Sequence, residues 1–520
     1  MEKRLLVAIA LSFLVLGAYS ALFPKSKPIE NKHVVDNISS ESATPVTSGL
    51  PKITPLSGNA DIFNKSLSDN DLVNIESNGL VLKFSSKGGF LYEIFDKQHN
   101  IPLSIQNIGL VKEWSDFDFI ASSITRGITF TYKNVDGLEI KKTFRVKEAN
   151  DLELTIELSG ITNSNITAYS IYSGSFNVAK EKDQASARYF EACSIINGIT
   201  NRKAVYGLKN TTNLSGHVLW AGLRDRYFCT VLVPQVAAQE LVMENLVDNK
   251  MLYIRVDKRQ VDSQSSRLED TFKIYVGPQD EKLLRSFGSE SERIISYGTF
   301  DTISKALLFF LKLGFKITKN WGLAIILITI FVYFLLFPLS MKSMVSMRKM
   351  QSLQPKIEAL RAKHKDSPQK LNMEIMQLYK SEKVNPFGGC IPMLLQIPVF
   401  FALYQLLMRF ISLRDAKFLW IKDLAEPDRL VIFPTSLPVF GNELNILPLL
   451  MAGTMFLQQK TTAQVSSSPE SAQQQKIMMI MMPILFGILF YKLPSGLVLY
   501  WFINSLLMTA FQWKITKTTA

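Results

Sequence analysis

Two hydrophobic rhythms divide this chain of 520 residues. Uncharged apolar runs stand at residues 5–23, 321–339, 391–408, 444–459, 477–491 and 496–513. A mostly polar block lies between the first run and the rest. A bilayer core of about 30 Å needs about 20 apolar residues in a helix, so the runs predict six transmembrane helices. The run 444–459 has only 16 residues, which implies local thinning of the bilayer or burial among neighbouring helices. The first run follows Lys3 and Arg4 and reads as a signal peptide or an anchor. Its length exceeds a signal peptide's apolar region of about 7–15 residues, which favours an uncleaved anchor over 1–23.

In the block between, apolar and polar residues alternate at 128–132, 152–158, 252–256 and 272–276. Turn residues punctuate them at 86–89, 134–137 and 277–278. Period two predicts half-buried strands, so residues 61–300 are expected to form a large antiparallel β-sandwich. Helical spacing enters only at 279–287. Residues 24–60 are rich in Ser, Thr, Pro and Asn, bury too little to offset ordering, and read as a linker.

Lys305, Lys312 and Lys316 recur on one helical face around the apolar stretch 306–311. This predicts a helix over 301–319 lying in the outer membrane interface, ahead of a second span over 320–340. The loop 341–389 holds ten Lys and Arg against four acids, and 413–445 holds four against five. Positive charge marks the cytoplasmic side, so 341–389 is cytoplasmic, the sandwich is outside, and both termini are cytoplasmic. Within 341–389, Met341, Met344, Met347 and Met350 recur every three residues, followed by Leu353, Ile357 and Leu360. After Ser367-Pro368, Leu371, Ile375 and Leu378 resume helical spacing, which predicts a helical hairpin with Ser367 as a cap. Spans three to six occupy 390–513, and 514–520 form a short tail.

Composition narrows the chemistry. There are 58 Lys and Arg against 45 Asp and Glu, a formal charge of +13, but the excess is explained by orientation in a bilayer rather than by direct nucleic-acid binding. Cys193, Cys229 and Cys390 and four scattered histidines build no metal-ligand cluster, and no cofactor is expected. Cys193 and Cys229 both fall in the sandwich and could pair, although two cysteines make no pattern. A sandwich could bind sugars, but no paired carboxylates in an aromatic cleft are identifiable. A secondary transporter or channel is the alternative, for which internal repeats or mid-membrane charges would be expected.

Several ordered motifs carry a resemblance. They are Leu353-Gln354-Pro355-Lys356-Ile357, the run from Tyr379 to Asn385-Pro386-Phe387-Gly388-Gly389-Cys390, Gln396-Ile397-Pro398-Val399-Phe400-Phe401, and Leu493-Pro494-Ser495-Gly496 with Tyr500-Trp501. With them the chain resembles the YidC-type membrane protein insertases over nearly its whole length. The resemblance implies a five-helix core enclosing a polar groove open to cytoplasm and lipid, and no covalent catalysis. It also implies nascent membrane proteins as clients, and as partners the phospholipid bilayer, the Sec translocon, the ribosome and the signal recognition particle receptor. The family usually places an arginine or lysine in the groove on the second span. The position that aligns here is Tyr333.

The missing charge leaves uncharged polar groups to line the groove. The intramembrane candidates are Tyr333, Thr329, Gln396, Gln405, Asn504 and Ser505, with Thr454 and Gln458 behind them; each could instead join helix to helix. Arg409 and Lys492 are candidates for a displaced charge. At about 1.5 Å per residue they stand about 27 and 24 Å above the inner ends of their spans, where outward snorkelling is expected. On the hairpin, Met347, Met350, Met373 and Met376 are candidates for recruiting partners, against the plainer reading of helix packing.

Overall fold

The computed structural model describes residues 71–518 apart from 78, 149, 162–167, 178–186, 206–210, 236–237, 247–250, 260–266, 365–366, 383, 385–390, 438–440 and 463–468. The expected anchor 1–23 and linker 24–60 lie outside the described residues, as does Cys390.

Residues 72–278 form β1 Leu72–Ser77, β2 Leu80–Ser85, β3 Phe90–Asp96, β4 Ile101–Pro102, β5 Ile105–Gln106, β6 Ile120–Ile124, β7 Gly127–Lys133, β8 Glu139–Glu148 and β9 Asp151–Ser159. There follow β10 Ala168–Asn177, β11 Glu191–Ile196, β12 Ile199–Ala204, β13 Thr212–Arg224, β14 Phe228–Pro234, β15 Ala238–Leu246, β16 Met251–Arg259 and β17 Arg267–Pro278. The four alternating runs fall in β7, β9, β16 and β17. In β9 the alternation is complete: Leu152, Leu154, Ile156 and Leu158 are buried, while the residues between them are only partly covered.

One sheet joins β1-β2-β3-β4. The larger has 13 strands along β5-β10-β16-β15-β13-β14-β17-β9-β8-β7-β6, with β11 pairing both β12 and β13. Strand twist accumulates across such a width, so the sheet curls and its ends face each other. Gly109, which follows β5, lies against both halves. Its amide bonds to Tyr172 in β10, and a Cβ there would lie 3.0 Å from Phe144 of β8 and 3.1 Å from Leu154 of β9. Its φ of +74° also favours glycine. The apolar faces of both halves merge into one core, into which β8 sends Lys142. That ammonium is fully buried and donates to the carbonyls of Gly88 (3.1 Å) and Gly109 (2.9 Å).

The helices are α1 Glu281–Phe287, α2 Asp301–Thr318, α3 Trp321–Ser352, α4 Gln354–Lys363, α5 Pro368–Ser381, α6 Ile391–Arg409, α7 Ile446–Thr462, α8 Pro469–Phe490 and α9 Ser495–Thr518. Asp280 caps α1, accepting from the amides of Lys282 (2.9 Å) and Leu283 (3.3 Å). A short hairpin, β18 Val431–Leu437 with β19 Gly441–Leu444, connects α6 to α7. In the bundle α2 packs on α3 and α6, α3 on α9, α9 on α7, and α7 on α8. Among the described residues Trp321–Ser343 is long and apolar enough to cross a bilayer, and Met479–Phe490 is a shorter apolar helix.

Two expectations about the hairpin change. Helix α3 runs without a break from the span through Pro338 to Ser352, so the methionine stripe extends the span rather than forming a separate arm. The break comes where Pro355, at the start of α4, has no amide to continue the ladder. Ser367 stands at the N-cap of α5, but its hydroxyl makes no capping bond; Pro368 alone starts the helix.

Candidate functional site

The apolar bundle carries its polar groups at two levels. At its outer end they are charged and engaged with the sandwich. Arg226, in the turn between β13 and β14, donates from Nε to the Met408 carbonyl at the end of α6 (2.6 Å) and from Nη2 to the Ala425 carbonyl (3.2 Å). Unsatisfied carbonyls end every helix, and a cation is favoured there by the helix dipole. Arg224, buried, donates to the Ser296 carbonyl (2.9 Å) and to Glu191 (2.7 Å). Arg409 donates to the same Ser296 carbonyl and lies 3.8 Å from Glu191, with its guanidinium 5.5 Å from the centre of the Tyr189 ring. Burial pushes the Glu191 carboxyl up, but Arg224 and Arg409 outweigh it and hold it below its ordinary value. Arg409 is thus spent on the sandwich, and Lys492 is exposed in the turn between α8 and α9.

Close by, Cys193 and Cys229 are both buried and both free, so they do not pair. Burial pushes the Cys193 thiol up to about 11 and the Cys229 thiol well above its ordinary value, which makes both inert.

Deeper in the bundle the polar groups are uncharged. From 321 to 341, 391 to 408, 446 to 459, 477 to 491 and 495 to 513 the chain has no ionisable Asp, Glu, Lys, Arg or His. Tyr333 is buried on α3, with its ring among Phe334 (5.9 Å) and Phe337 (6.0 Å). Among the described residues its hydroxyl has no hydrogen-bond partner. One turn earlier, Thr329 is fully buried but its hydroxyl is bonded to Ile325 of its own helix (2.6 Å).

On α6, the Gln396 amide donates to the Tyr500 hydroxyl of α9. Sequence reasoning missed Tyr500; its signal was a hydroxyl inside an apolar span, obscured by neighbouring aromatics. Gln405 is elsewhere. A Cβ on Gly298, in the segment leaving the sandwich, would lie 2.8 Å from Gln405 Oε1, which places this amide at the outer end. On α9, Asn504 is half-buried and Ser505 buried, the Ser505 carbonyl accepting the Thr509 hydroxyl (2.8 Å). Thr454 bonds the Met451 carbonyl of its own helix (2.8 Å). The structure thus joins Gln396 to Tyr500, leaves Tyr333 uncommitted, and separates Gln405 from both.

An aromatic cluster closes the bundle above Gln396. Phe400 of α6 meets Trp501 of α9 at 4.9 Å and Phe490 of α8 at 6.0 Å. Midway along α3, Phe337 packs edge-on against Phe511 at 4.5 Å. On the hairpin, Leu353, Ile357 and Val384 form a small core that Met350 joins, while Met373 and Met376 are exposed. The Met347 side chain lies outside the described residues.

Comparison with known proteins agrees with this architecture. Residues 313–520 match the family described as 60Kd inner membrane protein, and 117–310 match the YidC periplasmic domain. The membrane protein insertase YidC of Geotalea uraniireducens is 32% identical over 563 residues, covering 100% of this chain and 99% of its own. That of Legionella pneumophila (strain Lens) is 29% identical, covering 99% and 97%. A crystal structure of an active YidC insertase with its first transmembrane domain resolved covers 87% of this chain and 95% of its own, at 18% identity and a TM-score of 0.40. The assignment rests on the sequence relatives, and it does not favour a transporter or channel. The chain belongs to the YidC family of inner-membrane protein insertases, with a periplasmic β-rich domain, and its clients are nascent membrane proteins.

Proposed function

We propose that insertion proceeds through a wet, uncharged groove whose working groups are Tyr333, Gln396, Asn504 and Ser505, with Tyr500 holding Gln396. The carrying observation is the buried Tyr333 hydroxyl without a partner. A buried donor left unmet costs about 1–3 kcal/mol, and water or the polar tail of a client relieves that cost. Moving a hydrophilic tail across lipid is limited by desolvation of its polar groups, so a hydrated half-depth shortens the dry path. An acidic tail is drawn outward by the membrane potential, at about 2.3 kcal/mol per charge per 100 mV. Thr329 is committed to its own helix and Gln405 to the outer end, so the proposal leaves both out. Arg409 and Lys492 act outside the groove.

In this reading the chain crosses the membrane six times with both termini cytoplasmic, as the loop charges favour. The exposed Met373 and Met376 of the hairpin are the surface for cytoplasmic partners, with the ribosome and the signal recognition particle receptor as candidates. The Sec translocon is the candidate partner in the membrane.

The test is insertion of a small single-span protein with an acidic outer tail in cells depleted of the native insertase. Tyr333→Leu is expected to slow insertion about tenfold, about 1.4 kcal/mol, and Tyr333→Phe about threefold. Normal insertion by Tyr333→Leu would remove Tyr333 from the groove.

A further inference from the structure

The segment that follows α6, residues 410–430, is packed across the end of the bundle that carries the sandwich. Its Leu413, Ile421, Leu424 and Ala425 are buried in the same core as Ile325 of α3, Leu447 of α7 and Val498 of α9. Polar contacts fasten it to the same helices. At the start of α3, the Asn320 side chain donates to the Lys417 carbonyl (3.3 Å), and Phe418 lies so close over Gly322 that a Cβ there would strike its ring. At the start of α9, the Ser495 amide and hydroxyl donate to the carbonyls of Glu426 (2.8 Å) and Asp423 (2.9 Å), and the Gly496 amide to that of Leu424 (2.9 Å). From the other side, Arg226 of the sandwich holds the Ala425 carbonyl.

The link to α7 is of another kind, because it is made by a buried carboxylate. Asp428 is 2% exposed, and its Oδ2 accepts the amides of Ile446 (2.9 Å) and Leu447 (3.0 Å), the first two residues of α7. The same oxygen accepts the Trp420 indole N–H (3.2 Å) from within the segment. The first amides of a helix have no partner inside it, and the helix dipole favours a negative charge beside them. Asn445, directly before α7, is of a type that commonly caps a helix. Here its side chain is engaged elsewhere, accepting the Arg429 amide (2.9 Å) and donating to the Tyr491 carbonyl (2.9 Å) after α8. The start of α7 is thus held by a residue 18 positions earlier in the chain. The segment cannot lift from α7 without uncovering buried donors.

We propose that Asp428 is a positioning residue for insertion, the latch that holds residues 410–430 as a plug over the outer mouth of the bundle. Its purpose rests on the groove proposed above. A groove wet to half depth leaves a short dry path, and a gap at the outer end would join that water to the outside. With the latch closed, the groove keeps its opening to the cytoplasm and lipid, and the outer mouth stays sealed.

Thiol protection beneath the plug tests this, in the full-length protein in membranes with the three native cysteines replaced. Val498→Cys places the probe in the first turn of α9, at a position 1% exposed. A membrane-impermeant thiol reagent is added from the outer side, and the thermal midpoint is measured alongside. With Asp428 in place the thiol should react slowly, and Asp428→Ala should speed the reaction about tenfold. Asp428→Asn keeps an oxygen for the α7 amides and should stay within about twofold of the parent. Trp420→Phe removes only the indole donor and should speed labelling about threefold, which serves if Asp428→Ala fails to fold. A lowered midpoint with protection unchanged would make Asp428 a plain helix cap and overturn the proposal. Asp428→Asn as reactive as Asp428→Ala would overturn it too, as would Trp420→Phe labelled no faster than the parent. Labelling at 498 from outside needs no water at 333, 396 or 504, so a failed latch and a failed groove are told apart.

Discussion

The sandwich and the helix bundle bury polar groups in opposite ways. The sandwich takes whole charges inside: Lys142, Arg224 and Asp270 are at most 2% exposed, and each has a hydrogen-bond partner. The apolar runs of the bundle carry no charge, yet hold at Tyr333 a phenol with no hydrogen-bond partner among the described residues. In a domain folded in water, backbone carbonyls and partner side chains can be arranged around a charge, and the rest of the core offsets its desolvation. In a bilayer core the surrounding lipid does not offset it, so a charge there is costlier to keep than a neutral polar group. The sandwich is therefore built to stay fixed, and the bundle to leave some polar capacity unspent.

Breaking the junction between them should have the largest effect. Arg226→Ala leaves the Met408 and Ala425 carbonyls unpaired and is expected to destabilise the full-length protein by about 2–5 kcal/mol. A lowered thermal midpoint, with loosened cross-linking between sandwich and α6, checks it; an unchanged midpoint counts against the junction.

Lys142 sharpens the contrast from the sandwich side. Burial lowers its pKa from 10.5 to about 7. Between those values the unfolded chain binds the proton and the folded one does not, so stability rises with pH across about 7 to 10 and is at its minimum below 7. Lys142→Met should flatten that slope and raise stability near neutral pH by about 1–4 kcal/mol. A melting series against pH reads both, and a variant with the same slope as the parent would exclude Lys142 as its source.

On the bundle side, Gln396→Leu removes the bond to Tyr500 and should cost about 0.6–1.7 kcal/mol, measured as a modest fall in insertion rate. The smallest effect concerns the cysteines. Because Cys193 and Cys229 are free, reductant should leave the melting temperature where it is, and a fall on reduction would mean that they pair.

The strands were legible because each buries one face, and β9 writes that alternation residue by residue. Their order was not. β5 pairs with β10, some 70 positions on, and β17 lies between β14 and β9, contacts that leave no local trace in sequence. The span Trp321–Ser343 was legible from apolar length, and the point where α3 ends was hidden because Pro338 is absorbed within the helix while Pro355 starts the next. At the site, Tyr333 could be singled out by its position. The pairing of Gln396 with Tyr500 could not, since it depends on how two helices rotate against each other. Nor could the engagement of Arg409 with Ser296 and Glu191, because snorkelling accounts for an arginine at a span end without any partner.

The most direct measurement is water access to single cysteines at 333, 396 and 504, introduced after replacing the three native cysteines, in resting protein in membranes. A membrane-impermeant thiol reagent added from the cytoplasmic side should modify them, while a cysteine at Leu335, which is exposed on the apolar outside of the bundle and on this account meets lipid, stays unreactive. If all three remain as unreactive as the one at 335, the bundle has no hydrated groove and the mechanism is wrong.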